Sequence, residues 1–324
     1  MHLTSATHDA EPPTYLDAAT LEGMVDFRFL VDELGRALSQ RPSASPLRSH
    51  LQAPAGDLLV MPHADEQAVG VKIVGVCRSN PARGLPLING LYLLFDPETL
   101  TPRTLIDGAG LTALRTASVS GLATDHLARK DSHDLVIFGA GVQGRAHLHA
   151  MLAVRPIERL TIVSRSPGPA ERLVAHAEGL GVSARIGDSD AVSDADIVCT
   201  CTTSHTPVLR GGNLRPGTHV NAIGAFRPTD RELDDDAIRQ GLLVVDTIDG
   251  ALAEAGDVVI PLRSGKLSAA RLTELRDIVT GAAGRTNRED VTVFKSVGES
   301  LQDAIVATAV SRQSARRKSH WKED

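Results

Sequence analysis

A glycine-rich segment near the middle of the chain constrains the fold more than any other feature. An apolar run at Asp134–Phe138 leads into it, and a helical pattern at Val142–Val154 follows it. The segment itself reads Gly139, Ala140, Gly141, Val142, Gln143, Gly144. Its first glycine permits a tight turn, its second lets a pyrophosphate approach the backbone, and its third lets helix and strand pack closely. This pattern predicts a Rossmann domain that binds a dinucleotide; the alternative is a glycine turn in another α/β domain.

The residues after the next strand bear on which dinucleotide binds. An apolar run at 160–163 is followed by Ser164, Arg165 and Ser166, with no carboxylate to accept the ribose 2′-hydroxyl of NAD. Two hydroxyls and a guanidinium suit a 2′-phosphate, which a carboxylate would repel. We therefore expect NADP, as NADPH, rather than NAD; the alternative is that Arg165 only points into solvent. Further cofactor contacts are expected near the ends of other strands, at Thr202, Thr203, Ser204, Gly224 and Ser296.

The chain divides into two regions with different strand patterns. A helical pattern at 16–38 precedes strand-like runs at 57–61, 69–77, 91–95 and 103–106, and a helix at 111–127 follows them. Beyond residue 126, apolar runs without alternation, at 135–138, 160–163, 197–200, 219–223 and 242–245, are separated by helical patterns, which is typical of a doubly wound parallel sheet. A strand at 291–294 and a helix at 296–310 are expected to lead back to the first region. The prediction is an α/β protein, with a Rossmann domain at 126–295 and an α+β domain at 1–125 that is completed by about 296–324.

Composition excludes several classes of protein. The formal net charge of −6 does not provide the basic face that nucleic-acid binding needs. No apolar run approaches the ~18 to 20 residues of a membrane helix, and the first thirty residues do not resemble a secretory signal. Cys77, Cys199 and Cys201 lack metal-ligand spacing. We expect a cytoplasmic protein that binds neither nucleic acid nor membrane and holds no metal.

Several motifs lie outside the glycine loop. They are Val71-Lys72, GLTALRTAS at 110–118, NAIGAFRP at 221–228 with Arg231-Glu232-Leu233 beyond it, and TVFKSVG at 292–298. Together with the glycine loop they resemble the ornithine cyclodeaminase/μ-crystallin family, over nearly the whole chain to about residue 309. The resemblance implies that the first domain binds substrate and builds a homodimer, and that the Rossmann domain carries the nicotinamide.

The resemblance also implies a cationic clamp for an α-carboxylate at Arg48, Lys72 and Arg115, in an overall cationic pocket. Lys72 shares its strand face with Val74 and Val76, where a lysine is hard to hold unless an anion pairs with it. Arg115 lies among apolar helix residues, and its guanidinium group could bind a carboxylate through two parallel hydrogen bonds. Taken singly, each cation could instead be snorkelling or ion-paired. Lys72 and Arg115 are the catalytic candidates, and Lys72 is the better one for proton transfer because burial beside arginines would depress its pKa.

Two departures from the family pattern bear on the substrate. Leu59 stands where the cyclodeaminases have a glutamate, and Phe226 stands where they have an aspartate. A pocket with these two side chains would desolvate the second ammonium of a diamine without compensation. The segment around Phe226 is closer to the μ-crystallin branch, whose members resemble NADPH-dependent ketimine reductases.

The leading hypothesis is reduction of a C=N bond next to a carboxylate, as in pyrroline-2-carboxylate or piperideine-2-carboxylate. The partner would be a small imino or amino acid, held by the clamp and by Phe226. The first alternative is an amino-acid deaminating enzyme like ornithine cyclodeaminase or alanine dehydrogenase. The second is a non-catalytic protein that holds NADP and a small ligand.

Overall fold

The computed structural model describes residues 12–24, 26–40 and 45–320, of which 318–320 are described by their backbone alone. These residues build two sheets, one with six strands and one with eight. The larger sheet is parallel throughout, and the smaller is mostly antiparallel. The predicted α/β class, with a doubly wound sheet and a second sheet, is confirmed.

The smaller sheet presents one face to the core and one to the outside. Its strands, in the spatial order β1-β6-β5-β4-β3-β2, are β1 (Thr14–Leu16), β2 (Ser49–Ala53), β3 (Gly56–Ala64), β4 (Val69–Val76), β5 (Ile88–Phe95) and β6 (Pro102–Asp107). Only the β1–β6 pair of these strands is parallel. Side chains alternate across the pleat, so Lys72, Val74 and Val76 point inward while Ile73 points outward. The four strands predicted in this region are confirmed.

The helices of the first region differ in one respect from the prediction. The single helix expected at 16–38 is wrong: residues 14–16 pair with β6, and α1 (Ala18–Met24) and α2 (Phe27–Gln40) are separate. Asp26 explains the second start, because its carboxylate accepts hydrogen bonds from the backbone N–H groups of Arg28 and Phe29. Both helices bury leucines in the same core, so the periodicity continues across the break. Val25 lies outside the described residues.

Two long helices connect the halves of the molecule. α3 (Gly108–Leu127) and α10 (Ser300–His320) pack against each other, against α2 and against the smaller sheet. The helix predicted at 111–127 is confirmed, and the one expected at 296–310 begins later and continues to His320. None of the described helices combines the length and apolar composition needed to cross a membrane.

The larger sheet has the order β13-β12-β14-β11-β10-β7-β8-β9. Its strands are β7 (Asp134–Phe138), β8 (Arg159–Val163), β9 (Ser183–Gly187), β10 (Ile197–Thr200), β11 (His219–Ala222), β12 (Leu242–Val245), β13 (Leu272–Glu274) and β14 (Thr292–Lys295). The helices between them are α4 (Val142–Val154), α5 (Pro167–Gly179), α6 (Asp235–Gln240), α7 (Ile248–Glu254), α8 (Gly256–Arg263) and α9 (Leu275–Val279). From β7 the chain continues to β8 and β9 on one side and then crosses to β10 and β11 on the other side. Ligands of such sheets bind at this switch point, outside the carboxyl ends of the strands.

The position of β14, the last strand, differs from a second prediction. The segment at 291–294 was expected to return to the first region, but β14 lies inside the parallel sheet, between β11 and β12. Its four residues are all buried, as the centre of a parallel sheet requires. Local pattern shows that a segment is a strand but not which neighbours it takes, and only the helix that follows β14 leads back.

Candidate active site

The glycine loop follows β7 and has the geometry of a phosphate-binding turn. Gly139 has φ of 98°, and a Cβ there would lie 2.5 Å from the carbonyl oxygen of Cys201. A Cβ at Gly144 would lie 2.1 Å from the carbonyl oxygen of Gly139, whereas one at Gly141 would meet nothing within 4 Å. The first and third glycines are therefore required by packing, and the second leaves space for a ligand. No side chain caps α4, so its first N–H groups can bind an anion.

The segment expected to choose between NAD and NADP follows β8, the neighbour of β7. The Oγ of Ser164 lies 3.2 Å from the backbone nitrogen of Ser166, and Arg165 is exposed. Within the described part of the chain, Arg165 has no carboxylate partner. The three side chains stand beside the glycine loop, whose Gly139 N–H donates to the carbonyl of Val163 at 2.9 Å.

A cavity of about 420 Å³ lies between the two sheets, and most of the predicted site residues line it. The Rossmann side contributes Gly141, Val142, Gln143, Thr202, Thr203, Gly224, Phe226 and Ser296, and the other side contributes Arg48, Leu59, Lys72, Val74, Val76 and Arg115. Gly139, Ala140 and Gly144 complete the loop without lining the cavity, and Ser164, Arg165 and Ser166 lie at the end of β8. Ser204 turns away, and its hydroxyl donates to the carbonyl of Thr206 at 2.7 Å.

Lys72 lies on the inner face of β4 with only 1 % of its surface exposed. Its Nζ is 2.7 Å from Oδ1 and 2.6 Å from Oδ2 of Asp303, which lies on α10. Burial lowers the pKa of Lys72 to about 7, an effect that Asp303 opposes and that Arg115 and Arg48 reinforce. Lys72 can therefore gain and lose a proton near neutral pH.

Arg115 reaches the same carboxylate from α3. Its Nε is 3.1 Å from Oδ1 of Asp303, and its guanidinium packs on the backbone of Gly298. A Cβ at Gly298 would lie 2.0 Å from Nη1 of Arg115, and φ at this position is 79°. Both constraints demand glycine, which accounts for the last residue of the TVFKSVG motif.

Arg48 completes the group of three cations. Its Nη2 donates to the carbonyls of Val297 at 2.7 Å and Gly298 at 2.6 Å, and its Nε is 3.0 Å from Oε2 of Glu254. Burial raises the pKa of Glu254, and Arg48 opposes that rise. Asp303 and Glu254 thus accompany the cations, so the expectation of an overall cationic pocket needs correction. Asp303 is 231 residues from Lys72 in sequence, and local pattern could not reveal the pairing.

Asp246 is a further acidic residue that sequence reasoning missed. It directly follows β12 and is buried. Its carboxylate accepts hydrogen bonds from the backbone N–H groups of Val297 and Gly298, each at 2.8 Å, and from Gln302 at 2.7 Å. It therefore fixes the turn on which Arg48 and Arg115 rest. The sequence feature that could have revealed Asp246 is its position directly after the apolar strand β12, at the edge of the sheet where ligands bind.

Glu232 has a similar role on the Rossmann side. Its buried carboxylate accepts four hydrogen bonds, from N–H and Oγ1 of Thr202, from Oγ1 of Thr200 and from N–H of Gly224, at 2.7 to 2.9 Å. Burial raises the pKa of Glu232, and nearby Lys295 opposes that rise. The carboxylate joins the ends of β10 and β11 where both border the cavity. The Arg231-Glu232-Leu233 motif was noted in the sequence, but no role was predicted for Glu232.

The far part of the cavity is apolar. Leu59, Val74 and Val76 form a buried cluster, and Phe226 packs against it together with Leu87 and Ile88. Leu59 and Phe226, the two residues expected to replace acidic residues of the cyclodeaminases, therefore meet in one place.

One group of potential metal ligands occurs in the described part of the chain, away from this cavity. Ligand atoms of His133, Asp134 and Asp196 lie within 4.8 Å of one another, where β7 begins. Asp196 already contacts the guanidinium groups of Arg129 and Arg215, and Asp134 pairs with Arg159 at 2.5 Å. These arginines occupy the carboxylates, so the group is accounted for as an ion-pair cluster.

The chain is similar to known proteins over most of its length. The model of the Ornithine cyclodeaminase/mu-crystallin family matches residues 14–318. The chain belongs to this family. The match spans the glycine loop, all three cations of the cavity and the helix that carries Asp303.

Individual relatives are similar over most of their length. Delta(1)-pyrroline-2-carboxylate reductase of Bacillus cereus is 38 % identical over 267 residues, covering 80 % of this chain and 82 % of that protein. Ketimine reductase mu-crystallin of the mouse is 36 % identical over 259 residues, covering 79 % and 80 %. Thermococcus litoralis Delta(1)-pyrroline-2-carboxylate reductase, solved with NADH and L-proline, has a TM-score of 0.90 and 35 % identity, covering 94 % of this chain and 98 % of that one.

Proposed function

We propose that this protein is an oxidoreductase that reduces a cyclic imino acid, such as pyrroline-2-carboxylate or piperideine-2-carboxylate, to the cyclic amino acid. One observation carries the proposal: Arg48, Lys72 and Arg115 converge on a cavity that Gly141 of the phosphate loop also lines. The names of the similar reductases support the same reaction. A carboxylate next to the imine carbon can accept charge-assisted hydrogen bonds from the guanidinium groups beside the cavity.

The cations have different tasks in this proposal. Arg115 directs Nε to Asp303, which leaves Nη1 and Nη2 to hold the substrate carboxylate at two points. Arg48 is anchored through Nη2 to the backbone around Gly298 and adds positive charge beside that carboxylate. Together they orient the imine carbon toward the Rossmann side of the cavity.

Lys72 is the proposed proton donor. Reduction of an imine adds a proton at nitrogen and a hydride at carbon, and the reduced nicotinamide supplies the hydride when it is bound. A lysine with pKa of about 7 gives up a proton more readily than an ordinary lysine. Asp303 holds the Lys72 ammonium in place and compensates its charge before transfer.

The residues around the glycine loop fit a nicotinamide dinucleotide, and NADP is the proposed form. Gly141 offers open backbone, the start of α4 offers N–H groups, and Thr202 with Gly224 borders the cavity. An exposed arginine and two serines after β8, without a carboxylate, favour a 2′-phosphate. NAD remains the alternative, because the Thermococcus litoralis enzyme was solved with NADH.

A homodimer is proposed as the assembled form. The outward face of the smaller sheet carries exposed apolar side chains, with Ile73 opposite Leu91 and Leu51 opposite Leu58 in the strand registers. Ile73 is 45 % and Leu51 54 % exposed, which is costly for a sheet face left in water. Replacing Ile73 and Leu91 by lysine should yield a monomer in light scattering coupled to gel filtration. An unchanged dimer, or a monomeric wild-type protein, would contradict this assembly.

The function is tested by steady-state oxidation of NADPH and NADH in the presence of pyrroline-2-carboxylate or piperideine-2-carboxylate. Each assay is repeated with added ammonium, and with pyruvate in place of the imino acid. Turnover of the imino acid that does not depend on ammonium supports the proposal. Turnover only with pyruvate and ammonium would identify an amino-acid dehydrogenase. Cofactor binding without any turnover would leave a binding protein.

A further inference from the structure

The cavity continues beyond Lys72 along the inner face of β4. Val74 and Val76 follow Lys72 on that face, and Leu59 lies opposite Val74 on β3. At about 3.4 Å per residue, the two valines lie roughly 7 and 14 Å from Lys72 along the strand. We call the region formed by Leu59, Val74 and Val76, with Phe226 against it, the apolar subsite.

The apolar subsite is longer than an unsubstituted five-membered ring requires. With covalent bonds of about 1.5 Å, every atom of such a ring lies within about 4 Å of the carboxylate carbon. A ring held through its carboxylate at the cations therefore leaves much of the subsite to water. Water against apolar walls is unfavourable, and an apolar group that displaces it gains binding energy.

The acidic residue beside Val76 is not available to a charged substituent. Asp57 lies opposite Val76, and its carboxylate contacts Arg227 and accepts a hydrogen bond from His50 at 2.7 Å. This acid is already paired on both oxygens, so it does not offer a free partner to a substrate ammonium. A cationic substituent would lose its hydration in the subsite without compensation.

Building on the proposed function, we propose that the preferred substrate is an imino acid that carries an uncharged apolar group on the part remote from its carboxylate, and that this group occupies the apolar subsite. The cations fix the carboxylate at one end of the cavity, and the apolar subsite receives the remote group. The reaction at the imine carbon is the same as for the unsubstituted ring.

The test compares three substrates in the full-length protein with the reduced dinucleotide. They are pyrroline-2-carboxylate, the same ring with an n-propyl group on a carbon not bonded to the imine carbon, and the same ring with a 3-aminopropyl group there. We expect kcat/KM for the propyl compound to exceed that of the parent about tenfold or more, since each buried methylene contributes to recognition. The aminopropyl compound should fall below the parent.

Variants locate the effect within the cavity. Leu59→Asn and Val76→Thr should lower the ratio of kcat/KM for the propyl compound to that for the parent, whereas Val69→Thr on the outward face of β4 should leave the ratio unchanged. Because both values of kcat/KM are measured on the same variant, a general loss of activity cancels in their ratio. Turnover of the parent with no gain for the propyl compound, or a gain for the aminopropyl compound, overturns the subsite alone. Absence of turnover with all three substrates overturns the proposed function as well.

Discussion

Lys72 and Asp303 are 2.6 Å apart at their nearest atoms, and both side chains are buried. One lies on a strand of the smaller sheet and the other on the last helix, so the pair joins the two ends of the chain at the cavity. Breaking such a pair leaves an uncompensated buried charge, which costs several kcal/mol. The pair therefore serves both the fold and the protonation of the lysine.

The pH dependence of reduction should follow the protonation of Lys72. The lysine is protonated below its pKa of about 7, so kcat/KM for the imino acid should be level at low pH and should fall as pH rises through about 7. Asp303 raises the pKa of Lys72, so Asp303→Asn should move this fall to lower pH. Initial rates across pH for both proteins measure the shift, and a fall that stays in place or moves to higher pH would argue against Lys72 as proton donor.

Arg115 should determine substrate affinity more than cofactor affinity. Arg115→Met removes a two-point contact to the carboxylate, and KM for the imino acid should rise about a hundredfold. Arg115→Lys keeps the charge without the fork and should recover only part of the loss. Titration of the dinucleotide by fluorescence provides the control, since its Kd should change little. A KM close to that of the wild type in Arg115→Met would remove Arg115 from the clamp.

Ser164 offers a test of nucleotide choice. Ser164→Asp places a carboxylate directly after β8, where it would repel a 2′-phosphate and accept a hydrogen bond from a 2′-hydroxyl. The ratio of kcat/KM for NADPH to that for NADH should fall at least about tenfold. Ser193→Asp adds the same charge elsewhere on the Rossmann domain and should not change the ratio. A wild-type protein that prefers NADH would contradict the assignment of NADP from the outset.

Glu232 should act by positioning two loops. Glu232→Gln keeps the size but puts an amide donor against the donors that now contact the carboxylate. We expect kcat to fall about tenfold or more and Kd for the dinucleotide to rise, with KM for the imino acid changed less. Glu178→Gln, on the α5 surface, is the matched control. Loss of thermal stability with unchanged kinetics would limit Glu232 to a structural role.

The sequence predicts the centre of each sheet better than its margins. The strands that were not predicted, β1, β2, β9 and β13, are the edge strands of the two sheets. β2 is exposed at every position and β9 is mostly exposed, so neither shows the apolar run or alternation by which a strand is recognised. Central strands have neighbours on both sides, and their burial appears directly as apolar sequence.

The same limit applies to the cavity. The glycine loop was predictable because its residues are consecutive, and α4 has the predicted bounds Val142–Val154. The three cations were expected from the family resemblance. Their partners Asp303 and Glu254 come from distant helices, and only the fold brings them together. Pairing across the chain depends on topology, which local composition does not encode.

In the proposed reaction, hydride is added to the carbon that carries the carboxylate. The most direct measurement is reduction of pyrroline-2-carboxylate with a dinucleotide deuterated at the transferable position, followed by mass spectrometry and NMR of the product. We expect proline with one deuterium on its α-carbon, formed without added ammonium. Proline without deuterium at that carbon, or no proline while the reduced dinucleotide remains unconsumed, would contradict it.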